Sequence, residues 1–347
     1  MSRVQNITIG PGDSDQRLDR WLKRVFPHVS QGRVEKMCRK GELRVDGGRV
    51  KASTRLETGQ SVRIPPLPEP GQIETRPKLN INAADTKLMQ SMVIYKDDHI
   101  IALNKTPGLP TQGGSKQTRH IDGMSEALCF GYEEKPRLVH RLDKDTSGVL
   151  LLARSREAAQ KLTAAMRHRQ TRKIYWALVA GVPTPYLGEI RYGLLKAAGH
   201  GKSGEGEKMH CVHPREVDRT DGAKRAHTLY ATLYRVASRA AWVAMEPITG
   251  RTHQLRAHMA EIGHPIIGDG KYGGSGQENL GDGWGAQMGG DISRKLHLHA
   301  RSMSFEHPFT GKELTVTAPL PEHMAKSWDT LGWTEDLAAQ DPFEALQ

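Results

Sequence analysis

The sequence predicts an α+β protein, in which a small basic unit of helices and strands precedes a larger domain with a mixed, largely antiparallel sheet. Three observations support this prediction. The chain has 347 residues, which is enough for two domains. Two helical patterns and a hairpin pattern come first, and strand-like runs then outnumber helical ones. These later runs do not alternate with helices as they would in a parallel βαβ series.

The first unit is expected over residues 15–65. Its first helix carries apolar residues at helical spacing: Leu18, Trp21, Leu22 and Val25. A second helix is expected between Ser30, a residue type that favours helix N-termini, and Gly41, which favours helix C-termini. The residues Asp46-Gly47-Gly48 lie between two short alternating runs and predict a tight hairpin. Two helices and a small sheet would complete a compact unit.

The net charge of +11 is concentrated in this unit. Residues 15–65 hold 13 Lys and Arg against 6 Asp and Glu, a net charge of +7. A basic module attached to a nearly balanced body favours a polyanion as partner, because cations that neutralise phosphates release counterions from nucleic acid. The alternative is a charged surface that only keeps the protein soluble.

A Pro-rich run begins at Pro65 and opens a linker, expected over residues 66–90. The larger domain is expected over residues 91–325, and residues 326–347 are expected to be a C-terminal tail. The strands of this domain are expected at 92–95, 99–103, 148–153, 174–180, 227–236, 241–246 and 313–317.

Two helices are expected in the larger domain. The first covers residues 155–168 and begins at Ser155, which can cap its N-terminus. The second covers residues 252–262 and ends at Gly263. Few helices among many strands again favour the α+β class.

The three cysteines, Cys38, Cys129 and Cys211, are far apart and form no Cys-x-x-Cys pair. This arrangement argues against a disulfide framework and favours a reducing compartment. The N-terminal residues lack the apolar centre of a signal peptide, and no apolar run approaches the ~20 residues of a membrane span. The sequence therefore predicts a soluble cytoplasmic protein with no membrane partner.

The run LVHRLDKDTSGVLLLAR, residues 138–154, places two carboxylates and two basic groups directly before an apolar strand. Asp143, Asp145 and Ser147 fit the first half of a calcium-binding EF-hand loop, but Arg154 stands where that loop needs a bidentate Glu. A plain surface turn remains open, since Asp, Ser and Gly are common turn residues. The third interpretation is a catalytic carboxylate, Asp143, on a loop held by a rigid strand.

The string HRLDKDTSG within this run matches in full the signature of the RluA-type pseudouridine synthases. Four further segments resemble blocks of the same family: NKTPGLPTQGG (104–114), RKIYWALVAG (172–181), PITGRTHQLRAHMAEIGHPIIGDGKYGG (247–274) and LHLHARSMSFEHPFTG (296–311). One departure is Thr106, which occupies a position where the family usually has Pro. The resemblance covers about residues 90–320, and the first unit resembles an S4-type RNA-binding domain.

The resemblance implies isomerisation of uridine to pseudouridine within RNA, a reaction that requires no metal or redox cofactor. It nominates Asp143 as the essential carboxylate and Arg251 as its ion-pair partner. It nominates Tyr175 as the ring against the target base, with a hydroxyl that assists removal of the C5 proton. Arg141 is expected to fill the space left in the RNA when the base is flipped out. Whether Asp143 attacks the ribose, attacks the base or removes a ribose proton stays open.

RNA contacts are also expected outside the catalytic loop. In the first unit they are the cations of the predicted second helix: Arg33, Lys36, Arg39 and Lys40. In the larger domain they are the cations of the run RHRQTRK: Arg167, Arg169, Arg172 and Lys173. The alternative for this second group is a solvated helix end whose cations complement the helix dipole.

The resemblance is greatest to the branch that modifies large-subunit ribosomal RNA, of the RluC or RluD type, with RluC preferred. The expected partner is therefore 23S rRNA, free or within a ribosome assembly intermediate, and the protein is expected to be a monomer. Another structured RNA such as tRNA is the alternative target. Two other classes also remain: a non-catalytic RNA-binding protein, and an RNA N-glycosidase or nuclease that uses Asp143 as general acid or base.

No metal site is expected. Two pairs of histidines could be drawn as metal ligands: His210 with His213, and His297 with His299. Neither pair has an acidic or thiolate partner that would complete a ligand set.

Overall fold

The computed structural model describes residues 4–67, 81–113, 119–167, 170–196, 208–273, 292–338 and 341–344. The chain divides into two compact units, Met1–Lys78 and Leu79–Gln347. The first unit has a hydrophobic core of its own. Among the described residues, every helix is too short or too polar to cross a lipid bilayer.

The first unit contains two helices and a four-stranded antiparallel sheet. Its elements in chain order are β1 (Gln5–Thr8), α1 (Leu18–Val25), α2 (Gln31–Lys40), β2 (Arg44–Val45), β3 (Gly48–Arg49) and β4 (Ser61–Ile64). The strands lie in the order β1-β4-β2-β3. Asp46 and Gly47 join β2 to β3 with φ values of 47° and 75°, and two positive φ angles are what a two-residue type I′ turn requires. The predicted hairpin is present.

The apolar faces of α1 and α2 form the core of this unit. Trp21, Leu22, Val34 and Met37 are at most 1% exposed. Helix α2 ends at Gly41, whose φ of 68° lies in the left-handed region that ends many helices. The opposite side of α2 is exposed and carries the four cations that the sequence nominated: Arg33, Lys36, Arg39 and Lys40.

The second unit is built mainly from strands. They are β5 (Val93–Lys96), β6 (Ile100–Lys105), β7 (Arg137–Leu138), β8 (Ser147–Ala153), β9 (Thr171–Ala180), β10 (Leu187–Ile190), β11 (Gly193–Lys196), β12 (Met209–Val212), β13 (Lys224–Arg225), β14 (Thr228–Val236), β15 (Ala240–Pro247), β16 (Leu298–Glu306) and β17 (Glu313–Thr317). The helices are α3 (Ala83–Ser91), α4 (Ile121–Met124), α5 (Arg156–Arg167), α6 (Gln254–Glu261) and α7 (Glu322–Thr330).

Ten of these strands form one sheet in the order β10-β14-β15-β9-β16-β8-β6-β5, with β7 beside β8 and β17 beside β16. Its pairs are antiparallel except for the parallel pair of β8 and β16, which confirms the predicted mixed, largely antiparallel sheet. Strands β11, β12 and β13 form a separate sheet. Since β16 lies between β8 and β9, Ala300 pairs with both Gly148 and Tyr175.

The central strand β8 is buried at all seven positions, as expected for a strand covered on both faces. Leu150 and Leu152 pack in one cluster with Met89 of α3. Val149 and Leu151 pack on the other face with Leu162 of α5. The loop that precedes β8 is therefore anchored to the most buried part of the sheet.

Helices α5 and α6 lie close to their predicted positions. The amide of Ala158 donates to the Ser155 hydroxyl at 3.1 Å, the expected cap of α5. Helix α6 ends before Gly263, whose φ is 85°. It begins two residues later than predicted, at Gln254, because His253 is in the left-handed conformation with a φ of 53°.

Two boundaries differ from the prediction. The sequence predicts a linker over residues 66–90, whereas α3 begins at Ala83 and buries Met89 completely; residues 68–80 lie outside the described part. The sequence also predicts a tail over residues 326–347, whereas Trp328, Trp333 and Phe343 are buried in one core cluster. Helix α3 buries Met89, and helix α7 buries Met324 and Trp328, which lie one helical turn apart.

Candidate active site

The loop before β8 presents Asp143 where two neighbouring strands approach each other closely. Gly148 has a φ of 104°, and a Cβ there would lie 2.2 Å from the carbonyl oxygen of Ala300, so the position requires glycine. The hydroxyl of the buried Ser147 lies 2.9 Å from Nδ1 of His299 on β16. The Ser-Gly pair of the signature string therefore fixes the point at which the loop leaves the sheet.

Residues 108–111 hold this loop through hydrogen bonds. The Thr111 hydroxyl donates to the Leu142 carbonyl at 2.6 Å and accepts the Leu142 amide at 3.2 Å. The Gly108 amide donates to the Lys144 carbonyl at 3.0 Å. The backbone groups of Leu142 and Lys144, on either side of Asp143, are thus both hydrogen-bonded. The backbone that carries the Asp143 carboxylate is therefore held in place.

Lys105 is a buried cation beneath the same loop and is 0% exposed. Its Nζ donates to three carbonyl oxygens, each at 2.9 Å: those of Thr106, Leu109 and Lys144. Burial lowers the pKa of Lys105 to about 7, and the charges of Asp145 and Asp143 oppose that shift. Three carbonyl acceptors match the three N–H groups of an ammonium, which favours the charged form.

The guanidinium that faces Asp143 belongs to Arg256. Its Nη1 lies 3.5 Å from Asp143 Oδ2, while Nε and Nη2 each donate at 2.7 Å to the carboxylate of Asp269. Burial alone would raise the pKa of Asp269, but the hydrogen bonds and charge of Arg256 outweigh it, and that pKa is lowered. A buried bidentate pair of this kind fixes the orientation of the guanidinium.

The predicted pairing of Arg251 with Asp143 therefore needs correction. Arg251 is exposed, and its Nε donates to the carbonyl oxygen of Arg225 at 3.2 Å. The left-handed His253 separates Arg251 from the helix, so Arg256 is the arginine of this block that lies on α6 and is buried. The inward face of a helix is formed only by residues of the helix itself, and Arg251 precedes α6.

Tyr175 lies in the middle of β9, where the register places it beside Ala300. Burial, together with the charge of Asp143, raises the pKa of Tyr175, so its phenol stays protonated at neutral pH. A phenolate base at this position is therefore disfavoured. The aromatic face is the part of this side chain that can pack against a base.

His253 is the second group near the Asp143 carboxylate. Its Nε2 lies 3.8 Å from Asp143 Oδ2, and its Nδ1 lies 3.0 Å from the hydroxyl of Tyr272. Burial lowers the pKa of His253, so the ring is neutral at neutral pH. Asp143 thus faces a charged guanidinium and a neutral imidazole.

Arg141 and Asp145, two residues before and two residues after Asp143, are both exposed. Within the described part of the chain, Arg141 forms no ion pair. Its guanidinium is therefore accessible to an RNA that reaches Asp143.

The basic run of residues 167–173 does not present four free cations. Arg172 donates from Nε to Glu246 at 3.0 Å and binds Asp341 with both Nη atoms at 2.6 and 2.7 Å. Lys173 is partly buried, and burial lowers its pKa. Arg167 is exposed at the end of α5, and Arg169 lies outside the described residues. The expected phosphate contact is accordingly corrected for Arg172, whose donors already bind carboxylates.

The two histidines on or beside β16 are bound to hydroxyl groups. His297 Nε2 lies 2.8 Å from the Ser327 hydroxyl, and His299 is the partner of Ser147. No group of three or more His, Cys, Asp or Glu that could hold a metal ion is found in the ranges that the structure describes.

Five residues near Asp143 were not nominated as catalytic by the sequence: Lys105, His253, Arg256, Asp269 and Tyr272. A signal was available for Arg256, because it precedes Met259 by three residues and so lies on the same apolar side of the helix. A buried arginine needs a carboxylate, and Asp269 is the first acidic residue after α6. Lys105 and Tyr272 lie in two of the segments that resemble family blocks, 104–114 and 247–274, but no spacing singled them out.

A comparison with protein families gives two matches. A model described as RNA pseudouridylate synthase matches residues 99–261, and an S4 domain model matches residues 16–62. The first match includes Asp143, Tyr175 and Arg256, whereas Asp269 and Tyr272 lie beyond its end.

Individual proteins are similar over nearly the whole chain. Ribosomal large subunit pseudouridine synthase C of Vibrio vulnificus (strain CMCP6) is 34% identical over 336 residues, which cover 94% of this chain and 96% of that protein. The protein of the same name from Escherichia coli (strain K12) is 34% identical over 331 residues, covering 93% and 95%. Among solved structures, human RNA pseudouridylate synthase domain containing 4 is 28% identical with a TM-score of 0.58, covering 72% of this chain and 97% of that one.

Proposed function

Because the chain belongs to the RNA pseudouridylate synthase family and carries an S4 domain, we propose that it isomerises specific uridines of 23S ribosomal RNA to pseudouridine. The target is proposed from the relatives, which are named for the large ribosomal subunit. The observation that carries the proposal is that Asp143, on the loop before the buried strand β8, lies 3.5 Å from the Arg256 guanidinium and near enough to Tyr175 for its charge to raise the pKa of that phenol.

The reaction exchanges one glycosidic bond for another. The bond from ribose C1′ to uracil N1 breaks, the base turns, and a bond from C1′ to C5 forms. The C5 proton leaves and N1 gains one, so neither water nor electrons are consumed. A carboxylate can serve by attacking the ribose, by attacking the base or by removing a ribose proton, and each role requires its ionised form. Arg256 supplies the positive charge that favours this form.

Arg141 is proposed to stabilise the flipped-out state of the uridine. Extruding a base costs a few kcal/mol, less in a loop or bulge than in a duplex. A planar guanidinium stacks well on bases, so the exposed Arg141 offsets part of this cost by occupying the vacated space. Tyr175 supplies the aromatic surface against which the flipped-out base packs.

The first unit is proposed to anchor the RNA through the four exposed cations of α2. Such contacts bind phosphates and contribute affinity rather than sequence recognition. We further propose that the enzyme acts as a cytoplasmic monomer, because one chain supplies Asp143, Tyr175 and Arg256, and that it takes 23S rRNA free or within an assembly intermediate.

Purified protein incubated with a 23S rRNA transcript tests the proposal. Conversion of defined uridines, without strand cleavage or base release, is the expected result. Free uracil would instead indicate an N-glycosidase, cleaved strands a nuclease, and binding without any change a non-catalytic RNA-binding protein. Mapping pseudouridines in ribosomal and transfer RNA from cells with and without the gene then identifies the positions, and with them RluC-type, RluD-type or tRNA specificity.

A further inference from the structure

Tyr272 touches both groups that face Asp143. Its hydroxyl lies 3.0 Å from His253 Nδ1, and the guanidinium carbon of Arg256 lies 5.3 Å from its ring centroid. Its amide donates at 3.2 Å to Asp269 Oδ1, on the carboxylate that binds Arg256. The residue is 9% exposed. A single buried side chain outside the catalytic loop is therefore in contact with both neighbours of the carboxylate.

The hydrogen bonds of the Tyr272 hydroxyl determine which nitrogen of His253 carries hydrogen. The amide of Met209, the first residue of β12, donates to this hydroxyl at 2.8 Å. The hydroxyl keeps its own hydrogen to donate, and among the described residues its acceptor is His253 Nδ1. An accepting Nδ1 leaves the ring hydrogen on Nε2, the nitrogen that lies 3.8 Å from Asp143 Oδ2.

The opposite tautomer is disfavoured on two counts. It would turn the lone pair of His253 Nε2 toward the negatively charged carboxylate of Asp143. It would also leave the Tyr272 hydroxyl hydrogen without an acceptor in the described part of the chain, and an unsatisfied buried donor destabilises the folded state. In the favoured tautomer the Met209 amide, the Tyr272 hydroxyl and His253 Nδ1 are all paired, and the Nε2 hydrogen is directed at the negative charge of Asp143.

We propose that Tyr272 is a positioning residue that holds neutral His253 as the Nε2–H tautomer, so that Asp143 receives a second donor beside Arg256. Both contacts reach the same oxygen, Oδ2. Neither contact involves Oδ1, which is therefore the oxygen that we assign to the uridine. The 3.8 Å separation is too long for a hydrogen bond in the RNA-free chain and closes when substrate fills the site, as hydrogen bonds in active sites commonly do.

The kinetic test compares two Tyr→Phe variants, and this arm rests on the proposed function. Tyr272→Phe removes the hydroxyl and keeps the ring beside Arg256. Tyr95→Phe is a matched control, because it also removes a short hydroxyl bond, 2.6 Å to Asp97. Tyr272→Phe should lower the single-turnover rate about tenfold or more with unchanged RNA affinity, whereas Tyr95→Phe should match the original protein.

A second pair of variants separates positioning from packing. His253→Gln keeps a donor near the place of Nε2, and His253→Leu does not, while both introduce the same strain at a left-handed position. We expect the Gln variant to be more active than the Leu variant. Adding Tyr272→Phe to the Gln variant should cause no further loss, because the two changes act through one relay. Equal losses from Tyr272→Phe in the His and Gln backgrounds would overturn the proposal.

Nitrogen NMR of the full-length protein tests the tautomer without any activity. With the His253 signals assigned by their loss in His253→Gln, the expected spectrum has hydrogen on Nε2 and none on Nδ1, and Tyr272→Phe should shift it toward a mixture. Hydrogen on Nδ1 in the original protein refutes the inference even if the variants fold poorly. If the original protein converts no uridine, the proposed function fails, and the spectrum still decides the assignment.

Discussion

Arg256 joins two carboxylates of very different accessibility. Its guanidinium is bidentate to Asp269, whose side chain is 0% exposed, and reaches Asp143, whose side chain is 27% exposed. The buried carboxylate accepts from two guanidinium nitrogens and from the amides of Lys271 and Tyr272. It is therefore unavailable as a general acid, which argues against a glycosidase that would use Asp143 and Asp269 as its paired carboxylates.

Replacing the carboxylate of Asp143 should stop the reaction. In Asp143→Asn we expect no detectable conversion and an RNA affinity within a few-fold of the original, because the missing interaction belongs to the transition state. Asp145→Asn is the matched control, since it neutralises the exposed acid two residues away and should retain activity. Single-turnover conversion and RNA binding are measured on all three proteins. An active Asp143→Asn would remove the central assignment.

Conversion of uridine should depend more strongly on Arg256 than on Arg251. Arg256→Lys keeps a charge but cannot bind Asp269 in a bidentate manner and also reach Asp143. We expect its conversion rate to fall about a hundredfold or more, equivalent to about 2.7 kcal/mol, and its Tm to fall as well. Arg251→Lys should lose far less. A larger loss from Arg251→Lys would restore the pairing that the sequence predicts.

Substitution of Tyr175 should separate its ring from its hydroxyl. Tyr175→Phe keeps the aromatic surface and should retain conversion within about tenfold of the original rate, because the raised pKa of the phenol makes a phenolate base unfavourable. Tyr175→Leu should lose more, since it removes the surface on which a base stacks. If the Phe and Leu variants are equally impaired, the hydroxyl itself takes part in proton removal.

Neutralising the cations of α2 should weaken RNA binding and flatten its salt dependence. The variant changes four residues to Gln: Arg33, Lys36, Arg39 and Lys40. Each phosphate that the variant no longer neutralises reduces the slope of log K against log salt by about 0.7 to 0.9. A control variant changes four exposed cations of the second unit to Gln: Lys87, Arg137, Lys312 and Lys326. An unchanged slope in the first variant would mean that α2 does not anchor the RNA.

The stability of the second unit should fall in mild acid. Burial lowers the pKa of four histidines, to about 3 for His140 and to about 4 for His258, His297 and His299, from an ordinary value of 6.5. Between pH 6.5 and 4 the unfolded chain therefore binds more protons than the folded one. The free energy of unfolding should fall with decreasing pH, by up to about 1.4 kcal/mol per pH unit for each histidine. A Tm that stays constant from pH 7 to 5 would contradict this.

The sequence alone determined the parts that depend on local patterns. Helical spacing located α1 and α2, the Asp-Gly-Gly turn located the hairpin of β2 and β3, and contiguous apolar residues located β8. The string around Asp143 indicated the family, and the basic charge of the first unit indicated RNA as the partner. Such signals lie within a few neighbouring residues, so they can be read from the chain itself.

Only the tertiary structure decided which residues meet. Arg256 contacts Asp143, 113 positions away, and Tyr272 contacts His253. The left-handed His253 sets where α6 begins, and with it which arginine the helix carries. Similarly, Trp328, Trp333 and Phe343 of the predicted tail join the core. Contacts between distant segments depend on the direction of the backbone and on packing. Local periodicity in the sequence reveals neither of them.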